Sequence, residues 1–170
     1  MPVYIALLRA VNVGGTGKLP MAELKAMCEA AGFEQVRTYI ASGNVVFKAS
    51  GTAPQVKAAL MQRLASHAGK PVEVFVRTAQ EMADVLAANP FPDSPGHQSV
   101  AIFLDATPPA DTLEHIKGQN DEQVQLGLRE IYVAYGSGMG QSKLKIPAAA
   151  QGTARNINTV AKLAQMAAEM

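Results

Sequence analysis

The sequence predicts an α+β protein made of two fused ferredoxin-like subdomains with mostly antiparallel sheets. Short segments that are continuously apolar, or that alternate between apolar and polar residues, are typical of strands. Amphipathic segments of helical period lie between several of them. Over residues 1–77 the predicted order is β-α-β-β-α-β, the ferredoxin-like order, and it is partly repeated afterwards. We therefore expect an N-terminal subdomain over residues 1–77 and a C-terminal α+β subdomain over residues 78–170, packed as one compact unit.

The first half contains four predicted strands and two predicted helices. Pro20 begins the first helix, where a missing N–H costs nothing, and Gly32 ends it. Thr52 and Gly69 bound the second helix in the same way. A Gly-Asn pair at residues 43–44 separates two β-rich segments and predicts a hairpin turn. The strands are predicted at residues 3–8, 36–40, 45–47 and 72–76.

The second half is predicted as β-α-β-β-α after one additional short helix. Thr78 and Glu81 form a capping box at the start of that helix, and Pro90 ends it. The remaining predicted elements are a strand at 100–104, a helix after the Thr-Pro-Pro sequence at 107–109, strands at 124–128 and 131–135, a short strand near 143–146 and a final helix from about 156.

Composition excludes several classes of protein. Hydrophobic residues make up 48% and charged residues 17%, which excludes a disordered chain. The formal net charge is +1, whereas a general polyanion-binding protein needs a strong excess of basic residues, so this class is not favoured. Cys28 is the single cysteine, which excludes an internal disulfide and favours a reducing compartment. The N-terminal apolar segment is interrupted by Arg9, and no stretch approaches the roughly 20 apolar residues of a membrane span. We therefore expect a cytoplasmic protein that does not bind membranes.

A glycine-rich loop at residues 12–18, with the sequence NVGGTGK, is predicted between the first strand and the first helix. Backbone N–H groups and a helix N-terminus can hold a phosphate at such a place, and Lys18 adds a positive charge. The loop is not a nucleotide-hydrolysing P-loop, since Asn12 and Leu19 stand where that motif needs Gly and Ser or Thr. The alternative is a flexible connection whose glycines adopt positive φ.

The C-terminal quarter is locally basic. Residues 131–168 contain no Asp or Glu but include Lys143, Lys145, Arg155 and Lys162. Arg155 precedes a predicted helix N-terminus, where a cation is unfavourable unless an anion lies between them. A solvated basic face is the alternative.

No catalytic or metal-binding pattern stands out. The three histidines are isolated and lack metal-ligand spacing. Cys28 lies on the apolar stripe of the first helix and is predicted to be a core residue. The sequence at 42–44 lacks the G-x-S-x-G of hydrolases and is predicted to be a turn. We expect no metal and no cofactor, and whether the protein is an enzyme stays open.

Several segments occur here in an order that resembles a known family. These are ALLRAVNVGG, KLPMAEL, VRTYIASGNVVF, NPF and TARNINTVAKL, from residue 6 to about residue 163. They resemble the uncharacterised bacterial cytoplasmic proteins of domain-of-unknown-function family 1697. This chain departs from the family pattern at three positions. It has Ala10 where the family has Gly, Ala41 where the family often has Gln, and Ile157 where the family often has Trp. The resemblance implies the fold and covers nearly the whole chain, but it implies no reaction. The matching motifs point to polar and cationic residues, in loops and at strand ends, as candidates for a shared site.

We expect a binding module for a small phosphorylated or carboxylated anion, nucleotides included. The candidate ligand-binding residues are Arg9, Asn12, Gly14, Gly15, Lys18, Arg37, Ser42, Asn44, Ser142, Lys143, Arg155 and Asn156. Arg suits bidentate recognition of such anions, and the four cations outside the loop are expected to converge on one face. The alternatives are an enzyme acting on such a ligand, a nucleic-acid-binding protein and a protein-binding scaffold. Oligomeric state stays open.

Overall fold

The computed structural model describes residues 1–12, 18–136 and 139–170, and these form eight strands and four α-helices. The strands are β1 (Val3–Leu8), β2 (Glu34–Thr38), β3 (Asn44–Lys48), β4 (Val74–Thr78), β5 (Ser99–Phe103), β6 (Gln123–Leu126), β7 (Glu130–Ala134) and β8 (Thr153–Asn156). The helices are α1 (Met21–Ala30), α2 (Ala53–Ala68), α3 (Ala79–Ala87) and α4 (Ile157–Ala168). Within this described part, no helix combines the length and the apolar character needed to cross a bilayer.

The strands form two four-stranded antiparallel sheets with the same relative strand order. The first sheet runs β2-β3-β1-β4 and the second runs β6-β7-β5-β8. In the first, Ile5 of β1 pairs with Arg77 of β4, and in the second Ala101 of β5 pairs with Arg155 of β8. The predicted α+β class with two ferredoxin-like sheets is therefore confirmed.

The chain forms two compact units. One comprises Met1–Ala83 with Lys162–Met170, and the other comprises Asp84–Ala161. The expected division of the chain after residue 77 stays a prediction.

The core of the first unit lies between one face of its sheet and helices α1 and α2. Alternate β1 residues, among them Tyr4, Ala6 and Leu8, belong to this core. The rings of Phe33 and Phe47 stack in it with centroids 4.3 Å apart. Both ends of α2 follow the sequence signals, with a Thr52–Gln55 capping box and the left-handed C-cap residue Gly69.

In the second unit, one buried cluster lies on one face of the sheet. Val100, Ile102 and Leu104 alternate with residues that face the other side of the sheet, and they pack with Ile131 and Val133. Partly buried alanines and aliphatic residues from the 144–149 segment cover this cluster.

Three predicted elements differ from the structure. The helix expected after residues 107–109 is a single 3₁₀ turn, Thr112–His115, in which the backbone N–H and hydroxyl of Thr112 donate to the Pro109 carbonyl. The residues directly before the last helix, for which no strand is predicted, form strand β8 and complete the second sheet. The short strand expected near 143–146 is reduced to one isolated bridge between Lys117 and Lys145.

The second strand is shifted toward the N-terminus relative to its prediction. A bulge separates Glu34 from Arg37, and both Gln35 and Ile40 have positive φ, 52° and 53°. Because Ile40 adopts this turn conformation, it cannot continue the strand as predicted.

Candidate functional site

Asn12 joins the two ends of the glycine-rich segment and the neighbouring hairpin. Its Nδ2 donates to the carbonyls of Leu19 and Ala41, at 2.8 Å each, and its Oδ1 accepts from the Leu19 N–H at 2.6 Å. Asn12 also has a positive φ of 56°, which asparagine tolerates better than most residues. Its amide is thus used to position the chain on either side of residues 13–17. Gly14 and Gly15, two predicted site residues, lie outside the described residues.

A pocket of about 240 Å³ lies beside this anchored segment. Val11, Leu19, Leu64 and Val72 are the larger apolar side chains among its lining residues. It is built from the residues after β1, those before α1, the end of α2 and the segment before β4. The volume is below the range typical of sites for drug-sized molecules, so the pocket suits a small ligand.

Three basic side chains line the same pocket: Lys18, His67 and Lys70. Lys18 and Lys70 are exposed, and the His67 Nε2 lies 3.1 Å from Glu23 Oε2. His67 and Lys70 also lie at the C-terminal end of α2, where positive charge is favoured by the helix dipole. We refer to this cavity with its three basic side chains as the basic pocket.

Of the predicted site residues, only Lys18 is among the described residues that line the basic pocket. Arg9 follows β1 and donates its backbone N–H to the Glu73 carbonyl. Arg37 is exposed on the edge strand β2. Neither arginine is among the described lining residues of the pocket.

Ser42 and Asn44 stabilise the hairpin turn between β2 and β3. The buried Asn44 amide donates to the Tyr39 carbonyl at 2.9 Å and to Ser42 Oγ at 3.0 Å. Between them, Gly43 has a φ of +91°, as the turn requires. The amide of Asn44 is therefore engaged in holding the turn.

Ser142 and Lys143 belong to the second unit, where Ser142 holds two loops together. Its hydroxyl donates to Glu122 Oε2 at 2.5 Å, and Glu122 Oε1 accepts from the Asn120 N–H at 2.6 Å. These hydrogen bonds lower the pKa of the Glu122 carboxyl, and the one from Ser142 has the largest effect. Lys143 is exposed.

Arg155 and Asn156 are engaged in contacts within the second unit. Arg155 is 7% exposed, and its Nη1 donates to Thr153 Oγ1 at 2.6 Å and to the Ala154 carbonyl at 2.9 Å. Burial lowers the pKa of its guanidinium to about 10. Asn156 caps α4 by accepting the Thr159 N–H at 2.8 Å. The expected convergence of four cations on one face stays a prediction.

Sequence reasoning missed His67 and Lys70. The predicted topology could have indicated them. In a ferredoxin-like order, the connection after the first strand and the connection after the second helix lie at the same end of the strands. The first connection contains Lys18, and the second lies beside His67 and Lys70.

The chemistry available in the basic pocket is that of holding a negative charge. Among the described residues, no group of three His, Cys, Asp or Glu side chains is placed to hold a metal ion. No Ser, Thr, Cys, Asp or Glu side chain is among the described residues that line this pocket.

Comparisons with known proteins agree with the resemblance drawn from the sequence. No curated protein matches the chain. Among solved structures, a conserved bacterial protein from Streptococcus pneumoniae is similar, with a TM-score of 0.79, 25% sequence identity and 98% of both chains covered. Residues 1–132 match the model of a family described as "Protein of unknown function (DUF1697)". This match spans most of the sequence, and the chain therefore belongs to the DUF1697 family.

Proposed function

We propose that the protein binds a small phosphorylated or carboxylated anion in the basic pocket. The observation that supports this proposal is the placement of Lys18, His67 and Lys70 around one cavity of about 240 Å³. Ammonium groups act as adaptable point charges toward phosphates and carboxylates. The apolar lining offers contact for the carbon skeleton of the ligand.

The anchoring of the neighbouring segment supports the same ligand class. Asn12 holds the chain directly before and after the glycine-rich residues 13–17, and Lys18 follows them. Anion sites in proteins frequently combine basic side chains with a glycine-rich connection that precedes a helix. Because the lysines are exposed, salt will screen them, and we expect modest affinity that falls as ionic strength rises.

Titration with inorganic phosphate, ribose 5-phosphate and succinate tests the proposal. Isothermal calorimetry and amide chemical shifts of ¹⁵N-labelled protein would be recorded at low salt. We expect shifts at residues 10–11 and 67–72, and an affinity for at least one of these anions that Lys70→Ala and Lys18→Ala each reduce. The reduction should be about twofold to fivefold, since one exposed ionic contact contributes up to about 1 kcal/mol.

The matched control is Lys25→Ala. Lys25 is exposed on α1 in the same unit and is not among the described residues lining the pocket, so its removal changes net charge without touching the site. If none of the three anions binds, or if Lys25→Ala weakens binding as much as Lys70→Ala does, the basic pocket is not the site.

A further inference from the structure

A second cavity, of about 510 Å³, lies within the Asp84–Ala161 unit. The Pro-rich segment after α3, the segment before β6 and the end of β7 form its walls. Its volume falls within the range of sites that hold small organic molecules. It shares no described lining residue with the basic pocket.

The charge of this cavity is opposite to that of the basic pocket. Asp93 and Asp121 line it, and none of its described lining residues is Lys, Arg or His. Phe91 and Tyr135 add two half-buried aromatic rings. Carboxylates together with aromatic faces form the combination that attracts organic cations, since the ring faces carry partial negative charge. We call this cavity the acidic aromatic pocket.

Hydrogen bonds hold the walls of the acidic aromatic pocket in place. The Phe91 N–H donates to Asn89 Oδ1 at 3.0 Å, and the Ser94 N–H donates to the Phe91 carbonyl at 3.1 Å. At the opposite wall, the Tyr135 N–H donates to the Gln98 carbonyl at 2.8 Å. A wall fixed before binding loses less conformational freedom when a ligand enters.

Two local features fit a ligand that carries a positive charge. A Cβ added to Gly136 would lie 2.6 Å from Asp121 Oδ2, so the carboxylate sits directly against the backbone at the pocket wall. Burial, with a smaller effect of the Glu122 charge, raises the pKa of Tyr135, so its phenol stays neutral and can donate or accept a hydrogen bond.

We propose that the acidic aromatic pocket binds a small organic cation, an amine with an apolar or aromatic body. The ammonium group contacts the carboxylates of Asp93 and Asp121, and the body packs against the rings of Phe91 and Tyr135. The two aromatic rings beside the carboxylates favour an organic cation over a divalent metal ion, because a metal ion takes oxygen ligands and gains little from ring faces.

Three probes of nearly equal shape separate charge from shape. Phenethylamine is a cation, 2-phenylethanol is its neutral analogue and phenylacetate is an anion. Each would be titrated into ¹⁵N-labelled full-length protein. We expect phenethylamine to shift amides of residues 91–98 and 134–136 in a saturable manner, and to bind at least about fivefold more tightly than 2-phenylethanol. Phenylacetate should bind most weakly.

Variants locate the site. Asp93→Asn and Asp121→Asn should each weaken phenethylamine binding by at least about threefold while leaving 2-phenylethanol unaffected. Glu114→Gln removes the same charge from an exposed turn of the same unit and should leave binding unchanged. Asp93 is on an exposed turn, so its variant remains informative even if the Asp121 variant folds poorly. Equal affinity for the amine and the alcohol, wild-type binding in Asp93→Asn, or shifts confined to other residues would overturn the proposal.

Discussion

Two asparagines illustrate how single side chains determine the loops of the first unit. The amides of Asn12 and Asn44 bond to backbone and side-chain groups nearby, and their predicted contact with a ligand stays a prediction. A buried amide left without partners would cost about 1–3 kcal/mol, so such residues are required by the fold wherever a loop must be held. An asparagine amide can hold a loop or bind a ligand with the same donor and acceptor groups, so residue type alone does not distinguish the two roles.

Gly43→Ala should destabilise the protein strongly. Gly43 has a φ of +91°, and an added Cβ would lie 2.7 Å from Val11 Cγ2 and 2.9 Å from Leu8 Cβ. Backbone strain and overpacking each cost about 1–3 kcal/mol, so we expect a loss of about 2–4 kcal/mol in urea unfolding. Gly69→Ala is the matched control, since Gly69 also has positive φ, 71°, with nothing within 4 Å of the added Cβ. Equal losses in the two variants would rule out a clash at Gly43.

The thiol of Cys28 should be unreactive in the native protein. Cys28 is fully buried in the core of the first unit, and this burial raises its pKa to about 12. The thiolate is the reactive form, so at pH 8 we expect iodoacetamide to label the native protein more than about a thousandfold more slowly than the chain unfolded in urea. Mass spectrometry measures both rates. Comparable rates would mean that α1 opens without global unfolding.

At the scale of elements, contacts between loops support the second unit. The 3₁₀ turn Thr112–His115 replaces the helix expected there, and the Glu122–Ser142 hydrogen bond ties together the connections before β6 and after β7. Two backbone hydrogen bonds between Lys117 and Lys145 reinforce the same connection. These contacts join residues 20 and 28 positions apart and leave no periodic pattern in the sequence.

The Glu122 contact predicts a specific loss of stability in acid. The pKa of Glu122 is lowered in the folded protein, mainly by the Ser142 hydrogen bond, relative to the ordinary glutamate value of about 4.3 in the unfolded chain. Its stabilising effect is therefore complete above that unfolded value and is lost as the pH falls through the lower folded value. We expect the unfolding free energy to fall more steeply between about pH 4.5 and pH 3 in wild type than in Glu122→Gln.

Two further variants separate this contact from general charge effects. Ser142→Ala removes the donor and should flatten the acid dependence in the same way as Glu122→Gln. Glu114→Gln removes an exposed carboxylate and should keep the wild-type slope. A wild-type slope in both Glu122→Gln and Ser142→Ala would contradict the prediction.

At the scale of the whole molecule, the two halves repeat one arrangement with little sequence similarity. Arg77 and Arg155 occupy equivalent positions in β4 and β8, and each is buried. Each Nη1 donates to the carbonyl of the preceding residue. The residues that follow them, Thr78 and Asn156, accept the N–H of the residue three positions later at the start of α3 and of α4. The repeat is one of topology and register.

The charge of the whole molecule predicts weak interaction with nucleic acids. The formal net charge is +1, and three basic side chains line the basic pocket. Neutralising three phosphates of a single strand gives a salt slope no steeper than about −2 in log K against log salt. We expect a ten-nucleotide single-stranded DNA to bind weakly with such a slope, as measured by fluorescence anisotropy between 50 and 200 mM salt. Tight binding with a slope steeper than about −4 would indicate an extended nucleic-acid surface instead.

Much of the fold followed from local signals. The α2 boundaries, the Thr78–Glu81 capping box and the Asn156 cap depend on residues no more than four positions apart, so they are visible in sequence. Strand β8 was missed because its four residues carry only a short alternating pattern, and pairing with β5 stabilises it.

The sequence by itself determined the fold class, the order of most elements and membership of a family, because hydrophobic period, caps and turn residues act over short distances. Tertiary structure decided which polar residues share a cavity. Lys18 lines one cavity with His67 and Lys70, about 50 positions later in the chain, and Asp93 lines another with Asp121 and Tyr135. The order of strands in each sheet brings these residues to one cavity, and no local sequence pattern indicates that order. The sites therefore depend on long-range pairing of strands, whereas the elements depend on neighbouring residues.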